Sequence, residues 1–164
     1  MIDPLPSTEG GPIEPIRLTA RVRRPIADAF RLFTKEIGSW WPAQTHYTRG
    51  PVVGMVFEGR VGGRLIEVCA DGVTVPFGEV LAWEPPHRVV FSWHPSVQPT
   101  TPTEIEVRFS AEVDGATRVE VEHRGWERLR DRAHQQRTSY LNGWPTVWAR
   151  FLAAAGGEIL SSAP

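Results

Sequence analysis

Cysteine is nearly absent from the sequence, in which Cys69 is the only one among 164 residues. An internal disulfide is therefore excluded, and a reducing cytoplasmic location is the default expectation. No neighbouring base is evident, so we expect Cys69 to be a small buried hydrophobe and not a nucleophile. The five histidines show no metal-ligand spacing with one another or with Cys69. We therefore expect neither a metal nor a cofactor.

An excess of charge of one sign is also missing. The 18 basic and 19 acidic residues nearly cancel, which argues against a surface built for nucleic acid or for an anionic membrane. The longest apolar runs extend over a few residues only, so we expect no membrane insertion and no signal peptide. The phosphate-binding glycine loop, the HExxH motif and the nucleophile elbow are absent too, which leaves little catalytic signal.

Large aromatic rings are abundant, with 7 tryptophans and 7 phenylalanines against 2 tyrosines. Rings in this number require a generous core or an aromatic-lined pocket. The length suits one domain, which we place at residues 15–157. Residues 1–14 are rich in proline, glycine, serine and threonine, and we interpret them as a flexible tail. Residues 158–164 are interpreted as a flexible C-terminal end.

The stretch 132–155 has the apolar spacing of one long helix. Its large side chains recur at steps of one, three and four: Tyr140, Leu141, Trp144, Val147, Trp148, Phe151 and Leu152. Asp131 is the candidate N-cap, and the glycine pair at 156–157 is the candidate end. Pro145 predicts a kink within the helix and not its end.

The chain upstream of this helix has the pattern of a sheet. Residues 16–23 alternate as a half-buried strand, and Pro25 opens a shorter helix. About six further alternating segments follow, with two-residue turn signals at 71–72 and 114–115. Their charged outer face indicates an antiparallel sheet with one wet side. The pattern predicts an α+β domain in which the sheet curves around the long helix, leaving a cavity between them.

Several stretches, in this order and spacing, resemble one known family. They are LTARVRRPIADAFRLFT, EGRVGGRLIEV, GEVLAWEPPHRVVFSW, HRGWERL and YLNGWPTVWARFL. The chain resembles the activator-of-Hsp90-ATPase-homologue-like branch of the START/Bet v 1 (SRPBCC) superfamily. This resemblance implies the helix-grip fold, with a curved antiparallel sheet around a long C-terminal helix, and a hydrophobic cavity. It does not imply one activity, because the superfamily includes lipid and hormone carriers, polyketide cyclases and chaperone regulators.

The candidate ligand-binding residues are large rings on the facing elements together with two polar side chains. They are Trp40, Phe57, Phe77, Glu79, Trp83, Phe91, Trp93, Phe109, His123, Tyr140, Trp144 and Trp148. Strand parity predicts that Glu79 and His123 point inward, where either could fix the polar end of a ligand or act as an acid or base. The alternatives are a rim or arginine-paired Glu79, a core His123 with one hydrogen-bond partner, and aromatic rings that simply fill the core.

Three functions fit this pattern. We favour a binding protein that holds a small apolar or aromatic molecule in the cavity, with no catalytic residue assigned. The second is a cyclase- or aromatase-like enzyme that uses the same cavity, with Glu79 or His123 as acid or base. The third is an interaction module that contacts a chaperone through its outer surface, as the Hsp90 activators do. The sequence leaves a homodimer open.

Overall fold

The computed structural model describes residues 12–42, 51–94 and 102–163. Two α-helices, α1 at Ile26–Phe33 and α2 at Ala133–Ala155, accompany one open, curved antiparallel sheet. The strands are β1 Ile16–Val22, β2 Val52–Phe57, β3 Arg64–Cys69, β4 Thr74–Glu84, β5 Arg88–Trp93, β6 Thr103–Ala111, β7 Thr117–Arg124 and β8 Gly157–Ala163. Their order across the sheet is β2-β3-β4-β5-β6-β7-β1-β8. The predicted α+β architecture is confirmed.

The two predicted hairpin turns lie where the Asp-Gly pairs stand. Asp71 and Gly72 join β3 to β4, and Gly72 has a φ of +87°, which a glycine adopts without steric cost. The Asp71 side chain also accepts a hydrogen bond of 2.9 Å from the backbone N–H of Val73. Asp114 and Gly115 join β6 to β7, both with positive φ. Local turn chemistry therefore sets the pairing of these neighbouring strands.

Helix α2 covers the inner face of the sheet with one side only. Its buried residues are Ala133, Trp144, Trp148, Phe151, Leu152 and Ala155. The helix continues through Pro145 and ends at Gly156, which has the left-handed φ of 70°. Helix α1 contributes Phe30 and Phe33 to the same core. Neither helix in the described ranges combines the length and apolar character that crossing a membrane requires.

Three expectations about the ends of elements need correction. Residues 158–163 are not a flexible end, because they lie within β8, which pairs antiparallel with β1. Asp131 is not the N-cap: a 3-10 segment at Trp126–Arg132 precedes α2, which starts without a side-chain cap. Residues 13–14 are not free, since Ile13 packs against the core and the carbonyl of Glu14 accepts a 2.6 Å hydrogen bond from Arg137. The rest of the expected tail, residues 1–11, lies outside the described residues.

Candidate ligand-binding site

The inner face of the sheet and α2 enclose a continuous group of aromatic rings. Trp93 on β5 stands at its centre near the start of α2, with its ring centroid 5.5 Å from Phe77 and 6.4 Å from Tyr140. Trp41, which follows α1, lies 5.5 Å from Trp93. Most of these pairs meet edge to face or tilted, the geometries that aromatic quadrupoles favour. This end of the interior has aromatic walls on the sheet, on α2 and on the α1–β2 connection.

The other end of the interior is packed as an ordinary core. Phe33 of α1 lies 5.3 Å from Trp40, 6.2 Å from Phe109 and 5.4 Å from Phe151. The indole N–H of Trp40 donates to the carbonyl of Leu32 over 2.8 Å. Rings in such mutual contact form a filled core. The alternative that aromatic rings fill the core thus describes this half of the interior.

A chain of hydrogen bonds passes through buried His123 on β7. The indole Nε1 of Trp144 lies 3.1 Å from His123 Nδ1, and His123 Nε2 lies 3.0 Å from the hydroxyl of Thr103. An indole N–H is a donor only, so Nδ1 is the acceptor and the neutral ring carries its proton on Nε2. The Thr103 hydroxyl in turn donates to the carbonyl of Trp93 over 3.2 Å. The chain ties α2 to three adjacent strands.

His123 is a structural group and a poor acid or base. Its side chain is fully buried, and this burial lowers its pKa from 6.5 to about 3. Both ring nitrogens have partners, and Trp126 lies against the ring at 4.2 Å between centroids. A general base needs an available nitrogen and a pKa near the working pH. The prediction that His123 points inward is correct, and its surroundings favour the core-histidine alternative.

Three indole N–H groups in the interior have no acceptor among the described residues. They belong to Trp41, Trp93 and Trp148. Trp93 is 7% exposed, so water at the protein surface does not solvate it freely. A buried donor without a partner costs roughly 1–3 kcal/mol, which an acceptor on a bound molecule would offset. Two of these donors, Trp41 and Trp93, lie side by side at the same end of the interior.

All of the predicted site residues except Glu79 lie in or against the aromatic interior. The inward placement of Glu79 is wrong, because its side chain is exposed. The β3–β4 register shifts next to Gly78, and a second shift on the β5 side follows Val80. Such irregularities reverse the faces of the following residues, so Phe77 and Val80 both point inward.

Gly78 allows β4 to approach β5 closely. A Cβ at this position would lie 1.8 Å from the carbonyl oxygen of Ser92. The backbone N–H of Glu79 donates to the Ser92 hydroxyl over 2.9 Å. The close approach of the two strands needs glycine, and the serine satisfies a backbone donor beside it. The sequence pattern alone gave no sign of this shift.

Glu67 is an acidic side chain that faces inward and is not among the predicted site residues. On β3, Leu65, Glu67 and Cys69 alternate toward the interior, and Glu67 is 1% exposed. A cavity of about 110 Å³ adjoins it, lined by Gly38, Trp41, Pro42, Val52, Val53, Gly54, Met55 and Glu67. We call it the β3 cavity. An acidic residue on the apolar side of RLIEVCA was the available signal, and it was not singled out.

The outer face of the sheet carries a cluster of charges centred on Glu106. Burial opposes ionisation of this carboxyl, but hydrogen bonds from Arg108, Arg124 and Arg88 outweigh it and lower its pKa from 4.5 to about 2. The Nε atoms of Arg88 and Arg108 lie 2.7 and 2.6 Å from its Oε2. Because Glu106 faces away from α2, this cluster supports the sheet and not the interior.

A surface groove of about 1,020 Å³ lies at the C-terminal end of α2, remote from the aromatic interior. Arg24 in this groove donates to the carbonyls of Ala154 and Ala155, and Arg21 pairs with Glu112. These arginines already bond to groups of the protein, so the volume of the groove alone does not make it a ligand site. Within the described ranges, no three His, Cys, Asp or Glu side chains are arranged to hold a metal ion.

Comparison with known proteins agrees with this architecture. Residues 23–156 match the family described as Activator of Hsp90 ATPase homolog 1-like protein. The chain belongs to this family. The match confirms the resemblance stated from the sequence motifs. None of the curated proteins matches the chain.

Solved structures similar to this member of the Hsp90-activator-homologue-like family share its fold. The anthrahydroquino-γ-pyrone synthase Txn09, complexed with SUM, is 33% identical, with a TM-score of 0.55 over 76% of this chain and 84% of that chain. CalC, a self-sacrificing resistance protein from Micromonospora echinospora, is 25% identical, with a TM-score of 0.63 over 87% and 94%. Ms6760 from Mycobacterium smegmatis, at 19% identity and a TM-score of 0.56 over 90% and 91%, is similar in fold alone. The predicted helix-grip fold is therefore confirmed.

Proposed function

We propose that the protein binds a small, mostly aromatic molecule between α2 and the sheet, at the end of the interior that contains Trp41 and Trp93. The observation that carries the proposal is the pair of neighbouring indole rings, Trp41 and Trp93, whose N–H groups have no acceptors among the described residues. A core that served only packing would gain nothing from two such donors. A ligand with a polar atom in this place would satisfy them and leave its rings against the aromatic walls.

The aromatic walls supply enough contact energy for useful affinity. A ligand that buries roughly 200 Å² of apolar surface gains about 5 kcal/mol from that burial. Edge-to-face contacts with rings such as Trp93 and Tyr140 contribute about 0.5–1.5 kcal/mol each beyond the buried area. One or two hydrogen bonds to the indole groups then fix the orientation of the ligand rather than dominate its affinity.

Native mass spectrometry and fluorescence titration together test this proposal. We expect the protein to retain a small molecule on purification, or to bind naphthalene saturably with a one-to-one stoichiometry. Trp93→Ala should weaken naphthalene binding at least tenfold, because it removes a ring at the centre of the aromatic wall. Leu81→Ala, at a 43% exposed position of β4, is the matched control and should bind as the wild type does. No retained molecule and no saturable binding would refute the proposal.

A cyclase-like enzyme is the second candidate, supported by the 33% identity to the pyrone synthase Txn09. The acid and base first considered for it do not fit, because Glu79 lies outside the interior and His123 is neutral and fully bonded. An enzyme in this cavity would depend on another polar group, of which Glu67 is the buried carboxylate at hand. Ring closure of an aromatic polyketide substrate by the wild type, lost in Glu67→Gln with binding retained, would place the enzyme ahead of the binding protein.

A chaperone partner is the third candidate, and it is supported by the family match alone. The charges around Glu106 on the outer face of the sheet pair with one another. Stimulation of Hsp90 ATPase activity by the purified protein, undiminished in Trp93→Ala, would favour this candidate over ligand binding.

A further inference from the structure

We propose that the β3 cavity receives a phenolic hydroxyl of the ligand, which donates to the carboxylate of Glu67 and accepts from the indole N–H of Trp41. This inference rests on the proposed function and names the chemical class of the ligand. It assigns the polar end of the molecule to Glu67.

The two polar groups that line the β3 cavity have complementary needs. A carboxylate only accepts hydrogen bonds, and an indole N–H only donates. A hydroxyl group does both, so a single hydroxyl can satisfy both groups at once. Among the described residues no acceptor bonds to Trp41 Nε1. The two oxygens of a carboxylate offer about four acceptor positions, so Glu67 can accept from a ligand in addition to its contacts within the protein.

The residues around the β3 cavity favour a ligand in which this hydroxyl is attached to an aromatic ring. The side chains that surround Glu67 in the cavity are apolar or aromatic, among them Met55 and Val52. Its volume of about 110 Å³ is several times the ~30 Å³ that one water occupies in the liquid. Trp41 borders the cavity and also contacts Trp93, so its indole links the cavity to the aromatic interior. A sugar or an aliphatic polyol would leave further hydroxyls without partners on these walls.

The β-sheet fixes the position of Glu67. Met55 on β2 and Val75 on β4 pair with it in register on either side. Because β3 is flanked by strands on both sides, the carboxylate cannot turn to the outer face without breaking its ladder. The group is therefore preorganised, and a hydrogen bond from a phenol incurs little additional ordering cost.

Naphthol and naphthalene form a matched pair of probes that differ by one hydroxyl. We expect the wild-type protein to bind naphthol at least tenfold more tightly than naphthalene. In Glu67→Gln this preference should fall at least fivefold, since the amide oxygen of glutamine is a weaker acceptor than a carboxylate oxygen. Trp41→Phe keeps an aromatic ring but removes the N–H, and should lower the preference severalfold. Naphthalene affinity should change less than twofold in Glu67→Gln.

Glu79→Gln is the matched control, because this carboxylate on the neighbouring strand is exposed and should leave both affinities unchanged. Equal wild-type affinity for naphthol and naphthalene would overturn the phenol assignment while leaving interior binding intact. Tighter binding of naphthylmethylammonium than of naphthol would overturn it too, by making Glu67 the counter-ion of a cation. Binding of neither aromatic probe would refute the proposed function and this inference together. If Glu67→Gln fails to fold, the preference of Trp41→Phe for naphthol over naphthalene tests the phenol assignment instead, and a preference equal to that of the wild type would overturn it.

Discussion

Replacing His123 should change how the stability of the protein depends on pH. Burial holds the pKa of the folded-state histidine at about 3, while an unfolded chain has the ordinary value of 6.5. Between these values the unfolded state binds more protons than the folded state, so stability falls as pH falls. The contribution is complete above pH 6.5 and decreases toward pH 3. From pH 7 to pH 5 the loss is about 2 kcal/mol, or roughly 4–8 °C in melting temperature.

His123→Gln removes this titration while keeping an amide oxygen and an amide N–H near Trp144 and Thr103. The free energy of unfolding would be measured in urea at pH 7, 6 and 5 for the wild type, His123→Gln and His134→Gln. His134 is exposed on α2 and serves as the control. We expect His123→Gln to be less stable at pH 7 but to lose less stability than the wild type on acidification. The same pH dependence in all three proteins would refute the buried neutral histidine.

Three further predictions concern the core, the outer face and the N-terminal segment. Trp144→Ala should lower the free energy of unfolding, measured in denaturant, by about 3–5 kcal/mol, because it opens a void and leaves His123 Nδ1 without its donor. A loss of only about 1–2 kcal/mol together with tighter naphthalene binding would show that Trp144 lines an open cavity. Glu106→Gln should lower the free energy of unfolding by about 1–3 kcal/mol at pH 7 and by little at pH 2. The lowered pKa of the Glu106 carboxyl stabilises the folded protein above about pH 4.5, and this stabilisation is lost as the pH falls toward 2. A chain starting at Ile16 should melt several degrees lower than one starting at Pro12, because it lacks the packing of Ile13 and the bond to Arg137; equal melting temperatures would contradict that docking.

Local patterns in the sequence were sufficient for much of the fold. Alternation over 16–23 and 116–123 predicted two strands that pair in the structure, with His123 inward opposite Ile16. The two Asp-Gly pairs predicted hairpins, and the spacing of Trp144, Trp148 and Phe151 predicted the buried side of α2. These features depend on a period of two or 3.6 residues and on turn conformations, which each short segment encodes by itself.

The polar groups of the site could not be assigned in the same way. Alternation placed Glu79 inward, but the β3–β4 register shifts next to Gly78 and that carboxylate is exposed to solvent. The carboxylate that faces the interior is Glu67. Alternation along β3 was sufficient to predict its inward direction, but its cavity could not be predicted, because Trp41 and Met55 belong to other elements.

The sequence by itself determined the strands, the hairpins and the apolar side of the long helix, since these follow from local periodicity and turn chemistry. Only the tertiary structure decided the protonation of His123, which depends on Thr103 and Trp144, each about 20 residues distant along the chain. Only the tertiary structure also made 157–163 a strand, because an edge of β1 was available to pair with it. Burial, register and long-range partners are properties of the assembled chain, and they determine which polar side chains can meet a ligand.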